Sequence, residues 1–256
     1  VVASIVALLI ALLLPALRRA RDQAKLAVCA SNLRQIGACI YLYAGENRDC
    51  IPRGPAPDPL EDFEAQTLAT NQLWIGADLP FAPTRHPWRY NGLGPMIASV
   101  TPQAKHFFCP ADDNANLQEE WPRIGTDARA YGSYQYRQLD HLPESASDGR
   151  LDRMGTNNIG GRRVAVETLA LDTNSLGPGP FGHTNHRARA VNILFRDGSV
   201  GTFRNWGNLF AIRAEAFSPP TYASISAAMD QILTNADYAY GGRPSEAPVL
   251  ALAGQR

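Results

Sequence analysis

Three side chains in the C-terminal half have the types and spacing to do chemistry. Asp172 ends the apolar run RRVAVETLALD, and His183 and His186 follow it in the loop TNSLGPGPFGHTNH. Two imidazoles and a carboxylate can hold a divalent metal, and a His–Asp pair can serve as a general base. Should the run pair antiparallel with VNILF (191–195), its far end at Asp172 lies beside the entry to that strand near His186, and the three groups can converge. The simpler reading is a hydrogen bond that pins a Gly/Pro-rich loop. It is preferred because hydrolysis also needs a concave pocket and a seat for the substrate, and the chain contains no G-x-S-x-G, H-E-x-x-H, P-loop or dinucleotide fingerprint. The expectation is therefore no catalytic residue, no metal and no cofactor, with Asp172, His183 and His186 as the residual metal candidates.

The four cysteines, Cys29, Cys39, Cys50 and Cys109, form no C-x-x-C pair, which argues against a zinc ribbon. On one helix Cys29 and Cys39 sit about 15 Å apart and cannot bridge each other. Cys109 can pair with Cys29, Cys39 or Cys50; four small buried thiols are the alternative. Tyr131, Tyr134, Tyr136, Trp88 and Trp121 could form a sugar-stacking surface, although aromatics on a strand more often pack in the core.

The elements that must position these groups follow from pattern. VNILFRDGSVGTF is two strand-like runs around Asp197-Gly198, a hairpin turn with Gly at positive φ. The extended chain between His186 and Asp197 puts them roughly 35 Å apart, so they are no catalytic dyad. VAVETLAL reads as one strand, and YGSYQYRQL (131–139) as a short one. Residues 52–95, with PRGPAPDP, LPFAPTRHP and GLGP, read as irregular loops around short pieces such as QLWIG. After Trp206 a helix is expected, begun by Ser218 and Pro219-Pro220, with Tyr222, Ile225, Met229, Ile232 and Leu233 on one face; the tail 243–256 is expected to be loose.

The N-terminus is the least ordinary part. Residues 1–17, VVASIVALLIALLLPAL, carry no charge and, as a helix, span roughly 26 Å, close to the thickness of a bilayer core. Helix formers continue through RRARDQAKLAVCASNLRQIGACIYLYAGENRD, where Leu26, Ala30, Leu33, Gly37, Ile40 and Ala44 form one stripe joined by Cys29, Ile36 and Tyr43. One helix over about 1–45 is predicted, tolerating Pro15 and stopped by Gly45 and Asn47. With 24 basic and 24 acidic residues in 256, the chain has no bulk electrostatic reason to bind nucleic acid. A hydrophobic content of 45% excludes intrinsic disorder.

The order of ALLLPAL, RRARDQAK and CASNLRQIGACIYLYAGEN resembles the N-terminal helix of type IV pilin-like proteins and type II secretion pseudopilins. HFFCPADD (106–113), RRVAVETLALDTNS (162–175) and NHRARAVNILFRDGSVGTF (185–203) resemble further segments of the bacterial prepilin-type group that carries a C-terminal H-X9-DG domain, here with ten residues between His186 and Asp197-Gly198. The resemblance implies an α+β, pilin-like fold: a long N-terminal helix packed on an antiparallel sheet, with irregular insertions. The implied parts are a transmembrane half at 1–17, an amphipathic half at 18–47 with Leu26, Leu33, Ile36 and Ile40 as its assembly and packing face, a head at 48–242 with its signature segment at 162–204, and the tail. It also implies a Cys29–Cys109 disulfide, since both fall where the group carries cysteine.

As a function it implies a structural subunit in the bacterial inner membrane, single-pass, with its head in the periplasm or on the cell surface. The partners are other pilin or pseudopilin subunits, the secretion or pilus assembly platform, and a prepilin peptidase that cleaves and methylates the full-length precursor. The chain does not begin with Met, and a leader upstream of Val1 is expected. The positive-inside rule applied to Arg18, Arg19 and Arg21 gives the opposite orientation, and the resemblance is preferred to it. The alternative function is a membrane-anchored periplasmic hydrolase or carbohydrate-binding module using Asp172, His183 and His186.

Overall fold

Helix α1, Val2–Glu46, runs through Pro15 without interruption and is roughly 68 Å long. This computed structural model describes residues 2–52, 69–76, 89–100, 103–137, 149–159, 162–179, 182–218 and 221–241. Trp88, Pro219-Pro220, the tail 243–256 and much of 52–95 lie outside the described residues.

Along α1 the environment changes in step with the sequence. Its N-terminal half lies bare, with Leu12 70% and Leu13 67% exposed. It is long and apolar enough to cross a membrane, and the rest of the chain buries none of its most apolar window. In the other half Cys29, Leu33, Ile36 and Ile40 are fully buried, while Ser31, Arg34 and Gln35 face out. Leu26 is half-buried. The helix stops where the N–H groups of Asn47 and Asp49 return to the Ala44 carbonyl at 3.0 and 2.8 Å, with Arg48 and Asp49 in left-handed conformation. Asn47 takes part as expected, but Gly45 stays helical and the left-handed positions fall to residues with side chains.

The strands are β1 (Ala69–Trp74), β2 (Ala130–Arg137), β3 (Thr156–Ile159), β4 (Arg162–Ala165), β5 (Thr168–Asp172), β6 (Asn174–Leu176), β7 (Gly182–Thr184), β8 (Ala190–Phe195) and β9 (Val200–Arg204). Five of them form an antiparallel sheet in the order β1-β2-β5-β8-β9; β3-β4 and β6-β7 are separate two-stranded ribbons. Two short helices, α2 (Pro95–Ser99) and α3 (Leu117–Glu120), lie in the connections, and α4 (Tyr222–Tyr240) closes the chain. The fold is thus α+β, with a long apolar N-terminal helix and an antiparallel sheet.

Helix α1 lies mainly against β8, where a Cβ on Gly37 would sit 2.9 Å from Leu194 Cδ1. Close approach is the reason for glycine there. Val191, Ile193 and Phe195 alternate with Asn192 and Leu194 along β8, and Phe195 meets the Tyr240 ring of α4 at 5.0 Å between centroids. The sheet therefore carries α1 on one face and α4 on the other. Ile225, Ile232, Leu233, Ala236 and Ala239 of α4 are buried, and a buried ion pair joins α4 to the sheet: both nitrogens of the Arg137 guanidinium reach Asp237 at 3.0 and 2.9 Å.

Two elements differ from expectation. VAVETLAL is not one strand but breaks between β4 and β5, because the N–H groups of Glu167 and Thr168 donate to the Asp237 carboxylate at 3.0 and 2.8 Å instead of to a ladder. Helix α4 is capped by Thr221 rather than begun at Ser218; Thr221 and Ser224 form a reciprocal capping box. The Asp197-Gly198 turn joins β8 to β9 as expected, with Gly198 at φ +81° and the Asp197 carboxylate accepting from Ser199 N–H and Oγ–H.

Candidate functional site

Asp172 is the last residue of β5, paired through β5–β8 with the strand that His186 precedes, so the expected juxtaposition forms. Its carboxylate is fully buried. Asn192 of β8 donates to Oδ2 from its backbone N–H at 2.7 Å and from Nδ2 at 3.0 Å, and Asn185 Nδ2 lies 3.4 Å from Oδ1. His186 Nε2 stands 3.7 Å from Oδ2, beyond hydrogen-bonding range. Burial drives the Asp172 carboxyl up to about 7 and the His186 imidazole down to about 4. A close pair that looks ionic by distance therefore tends towards neutrality, since neither group gains enough from its neighbours to offset the water it has lost.

His183 does not join them. In β7 it turns the other way, and its Nε2 lies 2.9 Å from Asp112 Oδ2 in the segment HFFCPADD. The next residue of that segment, Asp113, accepts from the Thr184 N–H and hydroxyl, both at 2.6 Å. The expected three-residue cluster thus separates into two pairs. His183 edges an open groove of about 580 Å³, but the titratable groups lining it, Asp113 and His183, are both already engaged by protein.

What replaces His183 beside Asp172 and His186 is sulfur. Cys29 of α1 and Cys109 are disulfide-bonded, with Cα atoms 5.3 Å apart, and His186 Nε2 lies 3.4 Å from Cys109 Sγ. Cys39 and Cys50 carry no disulfide. One ligand-type atom each from Cys29, Cys109, Asp172 and His186 falls within 4.8 Å of all the others. The imidazole is aimed by an unusual backbone: His186, Arg187 and Ala188 have φ of +52°, +54° and +52°, three consecutive left-handed residues without a glycine.

The surroundings are polar yet closed. Asn32, the one polar residue on the buried stripe of α1, donates to the Phe108 carbonyl at 2.9 Å and to Tyr134 Oη at 3.2 Å. Ser133 Oγ, Thr173 Oγ1 and Asn185 Oδ1 are buried without a hydrogen-bond partner among the described residues. The cavity next to Asp172 measures about 20 Å³, room for one water. Tyr134 and Tyr136 are core residues, Tyr131 and Trp121 are half-buried, and the ring of Trp121 stacks on Phe107.

Sequence reasoning did not single out Asp112, Asn185, Asn192 or Asn32. For two of these a signal existed: Asn192 interrupts the apolar run VNILF, and Asn32 sits on the helix stripe, so each predicts a buried partner. His186 and Asp197 lie beyond opposite ends of β8 and do not touch. Asp197-Gly198 is instead held between the helices: Tyr41 of α1 donates to the Arg196 carbonyl, and Tyr240 of α4 donates to Asp197 Oδ2 at 3.1 Å.

Comparison with protein-family models, curated proteins and solved structures returns no match.

Proposed function

We propose that this chain is a membrane-anchored structural subunit that assembles with like subunits through its N-terminal helix, in the manner of type IV pilin-like proteins and pseudopilins. One observation carries the reading. A single helix is bare and apolar over one half and locked to a sheet over the other, so whatever holds residues 2–17 also fixes the orientation of the head. In this reading the apolar half sits in the inner membrane or in the core of an assembly, the head lies in the periplasm or on the surface, and the partners are other pilin-like subunits, their assembly platform and a prepilin peptidase acting on the precursor. An oxidising compartment suits the Cys29–Cys109 bridge.

The anchored hydrolase or carbohydrate-binding module has less behind it. The cavity that Asp172 borders is water-sized and is not lined by His186, and Tyr134 and Tyr136 offer no ring to a sugar because both are buried.

Membrane fractionation tests the proposal in cells that produce the full reading frame. The chain stays in the membrane pellet after alkaline extraction, the double variant Leu9→Glu, Leu13→Glu is released, and His186→Ala behaves as wild type. Release of the wild-type chain by alkali would sink the anchoring claim.

A further inference from the structure

Four segments distant in sequence deliver four metal-type ligands to one point. Cys29 comes from the middle of α1, Cys109 from the HFFCPADD segment, Asp172 from the end of β5 and His186 from the left-handed turn before β8. Cys29, Cys109 and Asp172 are buried. In the oxidised chain the two sulfurs satisfy each other, which leaves unexplained why a strained turn holds an imidazole against one of them and a carboxylate is sunk beside both.

We propose that in its reduced form this chain binds one zinc ion through Cys29 Sγ, Cys109 Sγ, His186 Nε2 and the Asp172 carboxylate. The same cluster would then staple α1 to the head in either redox state. The proposal is independent of pilin-like assembly and goes beyond it.

Tetrahedral zinc, with Zn–S near 2.3 Å and Zn–N or Zn–O near 2.0–2.1 Å, spaces its ligand atoms about 3.3–3.8 Å apart. The His186–Cys109 separation of 3.4 Å and the His186–Asp172 separation of 3.7 Å already match that spacing. The sulfur-to-sulfur edge must open from a covalent bond to about 3.8 Å, and the remaining edges start within 4.8 Å, shifts that side-chain rotation can supply. Two thiolates with imidazole and carboxylate favour zinc over magnesium or calcium, which seek all-oxygen sites. The orienting shell is also present, as Asn192 and Asn185 hold the Asp172 carboxylate from behind.

The chemistry balances with a dithiol as reductant. The dithiol gives two electrons and two protons to the Cys29–Cys109 bond and becomes a disulfide, leaving two thiols. Zinc then forms two Zn–S bonds as those thiols release two protons, the Asp172 carboxyl releases a third where it is protonated, and the neutral imidazole and the carboxylate complete the tetrahedron. In the reverse direction a small-molecule disulfide takes up the two electrons and two protons and becomes a dithiol, the two Zn–S bonds break as the Cys29–Cys109 bond re-forms, and the zinc ion is released.

The test uses the full chain in detergent micelles in a Cys39→Ser, Cys50→Ser background, so that the bridged pair supplies all the thiols. After reduction, zinc is titrated against a chromophoric chelator, and cobalt(II) is added in parallel as a spectroscopic probe. The expected result is one zinc per reduced chain and none per oxidised chain. Cobalt should give the intense visible bands of a four-coordinate site together with sulfur-to-metal charge transfer. His186→Ala and Asp172→Asn should each weaken zinc binding by at least about tenfold. A variant that fails to fold does not stall the test, because the cobalt spectrum of the unsubstituted reduced chain reads the ligand set alone, and zinc should raise its melting temperature reversibly with chelator. Equal binding by the oxidised chain, a six-coordinate cobalt spectrum, or full affinity in folded His186→Ala would each overturn the proposal.

Discussion

Asp172 Oδ2 and His186 Nε2 lie 3.7 Å apart at the end of β5, and burial drives both groups towards their neutral forms, the carboxyl to about 7 and the imidazole to about 4. In the folded, disulfide-bonded chain between those pH values the pair holds its proton on the carboxyl. In the unfolded chain, with ordinary values of about 3.9 and about 6.5, the proton sits on the imidazole.

The raised Asp172 value destabilises the fold as pH rises from about 4 to about 7, and the lowered His186 value destabilises it as pH falls from about 6.5 to about 4. Over the shared window the two slopes oppose each other. Asp172→Asn removes only the first, so stability relative to wild type should fall as pH drops from 6.5 to 4, by at most about 1.4 kcal/mol per pH unit, the limit for one proton. Urea titrations of both chains across that range check it; parallel curves contradict it.

The Cys29–Cys109 bond closes a loop of 80 residues between α1 and the head. In the chain-entropy picture a loop of that size is worth about 4.5 kcal/mol, and replacing Cys29 by Ser should cost a large part of it. Denaturant midpoints of the full chain in detergent measure the loss. A cost below about 1 kcal/mol would mean that helix packing alone holds the head.

Arg137 and Asp237 are the other buried tie, both with fully buried side chains. Asp237→Ala leaves an unpaired guanidinium and frees the Glu167 and Thr168 N–H groups, and should cost about 3–5 kcal/mol. Asp237→Asn keeps an acceptor for those N–H groups and should cost less. The order of the two melting temperatures is the readout.

Tyr41 and Tyr240 reach the same turn from opposite faces of the sheet. Each Tyr→Phe change should cost about 0.5–1.5 kcal/mol. Hydrogen exchange at Gly198 and Ser199 should rise in both variants, and unchanged exchange would deny the clamp.

Much of this was legible in the sequence because it was periodic. The α1 stripe, the β8–β9 hairpin around Asp197-Gly198, the apolar face of α4 and the meeting of Asp172 with His186 all follow from spacing along one or two elements. What was not legible depends on contacts between distant segments. His183 is drawn away by Asp112, which lies 71 residues earlier in the chain. The break before β5 is made by Asp237, 70 residues after Glu167. No local pattern encodes either partner, and a polar side chain's choice among several buried acceptors is fixed only once the core has closed.

The proposed assembly requires the bare half of α1 to be a contact surface between subunits. Photo-crosslinking in intact cells tests this most directly, with a photoreactive residue replacing Leu9 or Leu12 in the full-length chain. Crosslinks to other copies of the chain or to pilin-like subunits, forming a ladder on a denaturing gel that is absent without irradiation, are the predicted result. Crosslinks to lipid alone, with no protein adduct from either position, would contradict it and leave the helix as a simple anchor.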